Sequence, residues 1–198
     1  MKKEVDYYYS HVSPWSYLGA ERLYKIAAAA NAKINFKPVN LGVIFPQSGG
    51  LPLGKRAPQR RAYRLMELKR WKAHLGIELN LEPKYFPTND TTANLMAISA
   101  GLNGYDVGPL SLAIMKKCWV EEKDIAEERV LIEAANQCGF DGLALLDESR
   151  EDRASESFKS NTEDASKRGV FGAPTYIYKD EVLWGQDRLD FLERALAD

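Results

Sequence analysis

Tyr7-Tyr8-Tyr9-Ser10-His11-Val12-Ser13-Pro14-Trp15-Ser16-Tyr17-Leu18 is the stretch whose reading decides the fold. The three tyrosines belong to a short strand. Ser13 followed by Pro14 then opens a helix that runs to Asn31, with Ser13 as its N-cap and Pro14 as its first residue. A hydroxyl and the free N–H groups of a first helical turn therefore meet at one point, and such a point suits a bound anion. Ser-Pro is a common helix start, so its meaning depends on the rest of the chain.

Outward from this stretch, Lys2 to Tyr9 reads as the first strand and the alternating Lys33 to Val39 as a second. The two are expected to be parallel, because a helix-length crossover separates them. Asn40 to Pro58, rich in Gly and Pro, reads as a long loop whose size marks it as functional. Gln59 to Leu75 follows as a basic helix bearing Arg60, Arg61, Arg64, Lys69, Arg70 and Lys72. Helices continue from Thr88 to Gly139, with breaks expected at Gly101, Gly104, Gly108-Pro109 and Cys138-Gly139, and another spans roughly 150–167. Thr175 to Tyr178 and Glu181 to Trp184 flank the two-residue turn Lys179-Asp180 and predict a β-hairpin. A last helix, N-capped by Asp187, ends at Ala197. The order β-α-β, helices, α-β-β-α predicts an α/β thioredoxin-like fold with a helical insertion. Residues 1–40 and 150–198 would form the discontinuous thioredoxin-like domain and residues 41–149 the inserted helical domain.

In such a fold Ser13-Pro14-Trp15-Ser16 stands where the oxidoreductases carry Cys-x-x-Cys. With serine at both 13 and 16 the chain cannot exchange disulfides there, so a thiol must come from outside, and glutathione is the obvious soluble donor. Gly172-Ala173-Pro174-Thr175 fits the proline that precedes the hairpin strand, usually after a cis bond, and leaves the Ala173 backbone free to pair with an extended peptide. Asp187 could pair with the ammonium of a γ-glutamyl group while Gln186 and nearby helix N–H groups hold the adjacent carboxylate.

Composition excludes other classes. The chain has 198 residues, 45% of them hydrophobic, and a formal net charge of -1, so it has a sizeable core and no bulk field for nucleic acid or an anionic membrane. No apolar run approaches the ~20 residues of a membrane helix, and Met1-Lys2-Lys3 leads into no signal-type segment, so a cytoplasmic protein is expected. Cys118 and Cys138 lack metal-ligand spacing and are expected to be structural, with no metal site.

The chain resembles the 2-hydroxychromene-2-carboxylate isomerases and kappa-class glutathione transferases, a DsbA-like branch of the thioredoxin superfamily, over almost its whole length. Tyr7-Tyr8-Tyr9 with Ser13 to Leu18, Val170 to Thr175, and Trp184 to Leu189 carry the likeness. The resemblance implies glutathione as cofactor, with Ser13 bonded to its sulfur, the Ala173 backbone before Pro174 paired with the peptide, and Gln186 and Asp187 at the γ-glutamyl end. It places Arg60 or Arg61 near the glycine carboxylate, whereas Gly49-Gly50 stands where the transferases tend to have Asn. It also implies a homodimer. In the isomerase reading the partner is a small aromatic carboxylate, with Lys55, Arg56, Arg61 or His11 for its charge and Tyr85, Phe86 and Trp15 as aromatic walls. A glutathione transferase or peroxidase, and a non-catalytic glutathione or peptide binder, are the alternatives.

Overall fold

The computed structural model describes residues 2–197; Met1 and Asp198, the outer ends of the two expected thioredoxin segments, lie outside them. At one end of the chain β1 (Glu4–Tyr9), α1 (Pro14–Ala29) and β2 (Lys33–Pro38) form a βαβ unit, with β1 and β2 parallel from Glu4 opposite Lys33 to Tyr9 opposite Pro38. At the other end β3 (Thr175–Tyr178) and β4 (Glu181–Trp184) form the hairpin, and β3 pairs antiparallel with β1. The sheet order is β2-β1-β3-β4. Lys179 and Asp180 both take positive φ, 48° and 66°. These values are the mark of a two-residue turn whose twist matches that of its strands.

Side-chain alternation along β1 assigns its tyrosines to opposite faces. Tyr7 stacks on Tyr9 at 4.5 Å and on Tyr176 at 5.4 Å, and this aromatic layer is covered by Leu23 of α1 and by Leu189 and Leu192. The last two lie in α9 (Leu189–Ala197), which closes this face. Tyr8 faces the other way, into a smaller cluster with Val39, Ile44, Ala165 and Ile177. Its hydroxyl donates to Asp164 at 2.6 Å. Each fully buried apolar side chain in these layers contributes on the order of 2 kcal/mol.

Between β2 and β3 lie α2 (Leu41–Ser48), α3 (Pro58–Leu75), α4 (Thr91–Leu102), α5 (Val107–Trp119), α6 (Glu128–Gln137), α7 (Gly142–Glu148) and α8 (Asp152–Lys167). Helices α2 and α8 cover the Tyr8 face, and α4 to α7 pack as a block whose α5 rests on α1.

Three local expectations change. The long loop contains a helix, because Asn40 Oδ1 accepts from the Gly42 N–H at 2.9 Å and Gly49, at φ 73°, closes the other end. Pro46 removes one bond of that two-turn helix without ending it. Gly108-Pro109 does not break a helix but lies in the first turn of α5, where a missing N–H costs nothing and Asp106 caps Gly108 at 3.0 Å. Asp187 is not the N-cap of the last helix. A 3₁₀ turn, Gln186–Arg188, precedes α9, and Gly185 stands at its start with φ 102°.

Candidate active site

Ser13 sits at the junction where β1 turns into α1. Its Oγ accepts from the Ser16 N–H at 3.2 Å and donates to the Ala173 carbonyl at 3.3 Å. The first bond is an ordinary N-cap; the second is long and weak. The residue is 8% exposed and lines a cleft of about 1600 Å³. Because Pro14 has no N–H and Ser16 bonds Ser13, the Trp15 N–H is the remaining donor of the first turn, and among the described residues it has no backbone partner.

Opposite Ser13 the Ala173–Pro174 peptide bond is cis. Among the described residues the Ala173 N–H has no backbone partner, while the Pro174 carbonyl accepts from the Gly185 N–H at 2.9 Å. That bond ties the proline loop to the 3₁₀ turn. Gln186 is buried, and Arg22 of α1 donates to its Oε1 at 3.1 Å. Asp187 is exposed at the rim and accepts from Arg188 at 2.6 Å. Ser13, Trp15, Ala173, Gln186 and Asp187 all line the same cleft.

The far wall is α3. Ala57, Arg60, Arg64, Glu67 and Trp71 line the cleft at a spacing of three to four residues, which is one face of a helix. Arg61, one residue on from Arg60, turns about 100° away and does not line it. Arg56 lines the cleft, with its Nε donating to the Leu51 carbonyl at 2.7 Å, whereas Lys55 in the preceding 3₁₀ turn points elsewhere. Phe86 forms part of the wall and packs on Trp119 at 4.9 Å, while its neighbour Tyr85 lies under Lys84 outside the cleft.

His11 is also outside the cleft, fully buried behind it. Its Nδ1 lies 2.6 Å from Asn94 Oδ1 and its Nε2 3.2 Å from Ser111 Oγ. Burial holds its pKa below the ordinary value of 6.5, although the Asn94 bond and Asp90 oppose that. The unfolded chain therefore takes this proton more readily than the native state. Stability is present above the unfolded pKa and falls as pH drops below about 6.5, by up to ~1.4 kcal/mol per pH unit until the native pKa is reached. Urea midpoints measured from pH 8 to 5.5 should fall on the acid side in the native sequence and flatten in His11→Asn; parallel curves would assign the acid loss to other groups.

Sequence reasoning gave no role to Asp90, Trp184 or the cleft-facing Arg64. Asp90, at the start of α4, accepts from Ser10 Oγ at 2.6 Å and from the Val12 N–H at 3.2 Å, so the helical block grips the segment just ahead of Ser13. Trp184 packs against Phe171 at 4.7 Å beside Gly172, where a Cβ would stand only 2.5 Å from the indole nitrogen. Nothing local in the sequence reveals that the Asp90 carboxylate is spent on a distant loop.

The chain has no thiolate of its own to use here. Burial raises the Cys118 thiol to about 12 and pushes that of Cys138 up as well. Among the described residues no three His, Cys, Asp or Glu side chains are grouped to hold a metal, and no helix is long and apolar enough to cross a membrane.

Residues 4–197 match the DSBA-like thioredoxin domain. The chain belongs to this family. Within the DSBA-like family it is 29% identical to the 2-hydroxychromene-2-carboxylate isomerase of Sphingobium xenophagum over 200 residues, covering 100% of both chains. It is 25% identical over 210 residues to glutathione S-transferase kappa 1 of Homo sapiens, covering 100% of this chain and 92% of the other. A solved 2-hydroxychromene-2-carboxylate isomerase superposes with a TM-score of 0.81 at 28% identity, over 98% of this chain and 94% of that one. The protein is an enzyme of the isomerase and transferase kind within this family.

Proposed function

We propose that the protein is a glutathione-dependent isomerase that converts 2-hydroxychromene-2-carboxylate to trans-o-hydroxybenzylidenepyruvate. The observation that carries this is the Ser13 hydroxyl at the α1 N-terminus, open to the cleft and facing a proline loop whose Ala173 N–H lacks a backbone partner among the described residues. Those groups fit glutathione: Ala173 ahead of cis Pro174 would hold the peptide, Gln186 and Asp187 the γ-glutamyl end, and Arg60 the glycine carboxylate. Arg61 is withdrawn from that role because it faces away. When bound, glutathione would supply a thiolate for reversible addition to a conjugated electrophile.

The task of the chain is to make that thiolate available. By turning its one proton from the Ala173 carbonyl to the sulfur, Ser13 would donate a charge-assisted hydrogen bond worth roughly 1.5–3 kcal/mol, and the free first-turn N–H and helix end add roughly 0.3–1. At ~1.4 kcal/mol per unit, the sum lowers a thiol pKa near ~8.5 by about 1.5–3 units. Arg56, Trp15 and Phe86 would meet the aromatic carboxylate; Lys55, Tyr85 and His11 lie outside the cleft. We take residues 41–149 as the inserted part that supplies this wall. We place the enzyme in the cytoplasm, where glutathione is reduced, and take it to be a homodimer on its resemblance to the family.

An absorbance assay tests the activity directly. Hydroxychromene carboxylate should be consumed only when glutathione is present, faster than 1-chloro-2,4-dinitrobenzene is conjugated. Conjugation without isomerisation would favour the second reading, a transferase, for which the likeness to the human kappa protein speaks. Loss of neither substrate would leave a binder.

A further inference from the structure

Arg64 differs from every other cation around the cleft. Its Nη2 is buried with no hydrogen-bond partner among the described residues. Its guanidinium lies 5.1 Å from the centre of the Phe86 ring. The acids lining the cleft are engaged elsewhere, Asp90 with Ser10 and Val12, Glu67 with Arg70 and Asp187 with Arg188, and Glu82, whose charge reaches Arg64, forms no salt bridge with it among the described residues. Burial and the charge of Arg56 pull the Arg64 pKa down to about 10, with Glu82 opposing, and the group still carries its full charge at neutral pH.

A guanidinium partly withdrawn from water, with one buried nitrogen unpaired and no salt-bridged counter-charge, is a costly arrangement, and an opposite charge arriving in the cleft relieves it. The planar fork of Arg is matched to a carboxylate, which it can hold through two parallel bonds. Phe86 and Trp71 line the cleft on the same side, so the body that carries this carboxylate should be flat and aromatic or conjugated.

We propose that Arg64 is the specificity-determining cation of the second-substrate site, holding the carboxylate of an aromatic acid against Phe86 and Trp71. It rests on the glutathione reading only in calling this the second substrate. Arg60, exposed on the preceding turn of α3, is left for the peptide's glycine carboxylate, and Arg56, partly occupied by the Leu51 carbonyl, meets the aromatic carboxylate only as a second cation beside Arg64.

Calorimetric titration separates the two ideas. Glutathione is titrated first into the native protein; no binding there overturns the glutathione reading, whatever follows. trans-Cinnamate and its uncharged analogue trans-cinnamamide are then titrated into the same sample and into Arg64→Met and Arg64→Lys. Cinnamate should bind the native protein at least about 10-fold more tightly than the amide. Arg64→Met should abolish that preference, and Arg64→Lys should keep only part of it. Without ligand, Arg64→Met should melt roughly 2–4 °C higher, since an unrelieved charge is gone. An unchanged cinnamate preference in Arg64→Met overturns the proposal. So does a 10-fold loss of glutathione affinity in that variant, which would assign Arg64 to the peptide.

Discussion

Ser13→Ala is expected to raise the thiol pKa of glutathione held in the cleft by roughly 1–2 units, because the charge-assisted bond of about 1.5–3 kcal/mol is lost while the helix end and the Trp15 N–H persist. At pH values below the native thiol pKa, kcat should fall by about 10–100-fold, whereas KM for glutathione should change less, since Ala173, Gln186 and Asp187 still hold the peptide. The same substitution deletes the cap that Ser13 Oγ provides to the Ser16 N–H, a loss of ~1 kcal/mol in stability. Ser13→Gly separates the two effects. Glycine caps nearly as well as serine, within a few tenths of a kcal/mol, but has no hydroxyl. Both variants should therefore show the same thiolate titration curve by ultraviolet absorbance and different urea midpoints. Coincidence of the native and Ser13→Ala titrations would reduce Ser13 to a cap and remove the mechanism.

What could be read from the sequence was local. The Ser-Pro helix start, the proline ahead of the hairpin and the Lys-Asp turn are each specified by residues adjacent in the chain, and each has the geometry its residue types demand. The DSBA-like fold followed from their order. The misreadings arose where distant segments meet. A helix with Arg or Lys at six positions shows a short apolar stripe, Leu68, Trp71 and Leu75, only in its second half, so Arg60 and Arg61 looked equivalent and Arg64 looked like solvated surface. Only the cleft distinguishes them. His11 follows a strand and looked reachable, but Asn94 of α4 and Ser111 of α5, about 80 and 100 residues further along, enclose it. The Gly- and Pro-rich stretch was misjudged for a different reason: Asn40 and Gly49 are good helix ends, and their spacing outweighs the single bond removed by Pro46.

The 3₁₀ turn that presents Gln186 and Asp187 depends on one backbone position. Gly185 has φ 102° and ψ 146°, a region that residues with a Cβ scarcely enter, and its N–H bonds the Pro174 carbonyl at 2.9 Å. Gly185→Ala is expected to cost about 1–3 kcal/mol from backbone strain alone. A Cβ there would also lie well inside contact distance of Asp187 Oδ1. That oxygen ends a flexible side chain, so the carboxylate would swing away instead of the backbone moving. Affinity for glutathione should then fall roughly 5-fold, the scale of a partly exposed charge pair of about 1 kcal/mol. Gly169→Ala is the fitting comparison, because Gly169 has φ 75° with open space where its Cβ would be. It should lose about 1 kcal/mol of stability and no glutathione affinity. Urea unfolding and calorimetric titration of the two variants decide the matter: equal stability losses with equal glutathione affinities would mean that Gly185 is an ordinary turn residue and that Asp187 does not hold the γ-glutamyl end.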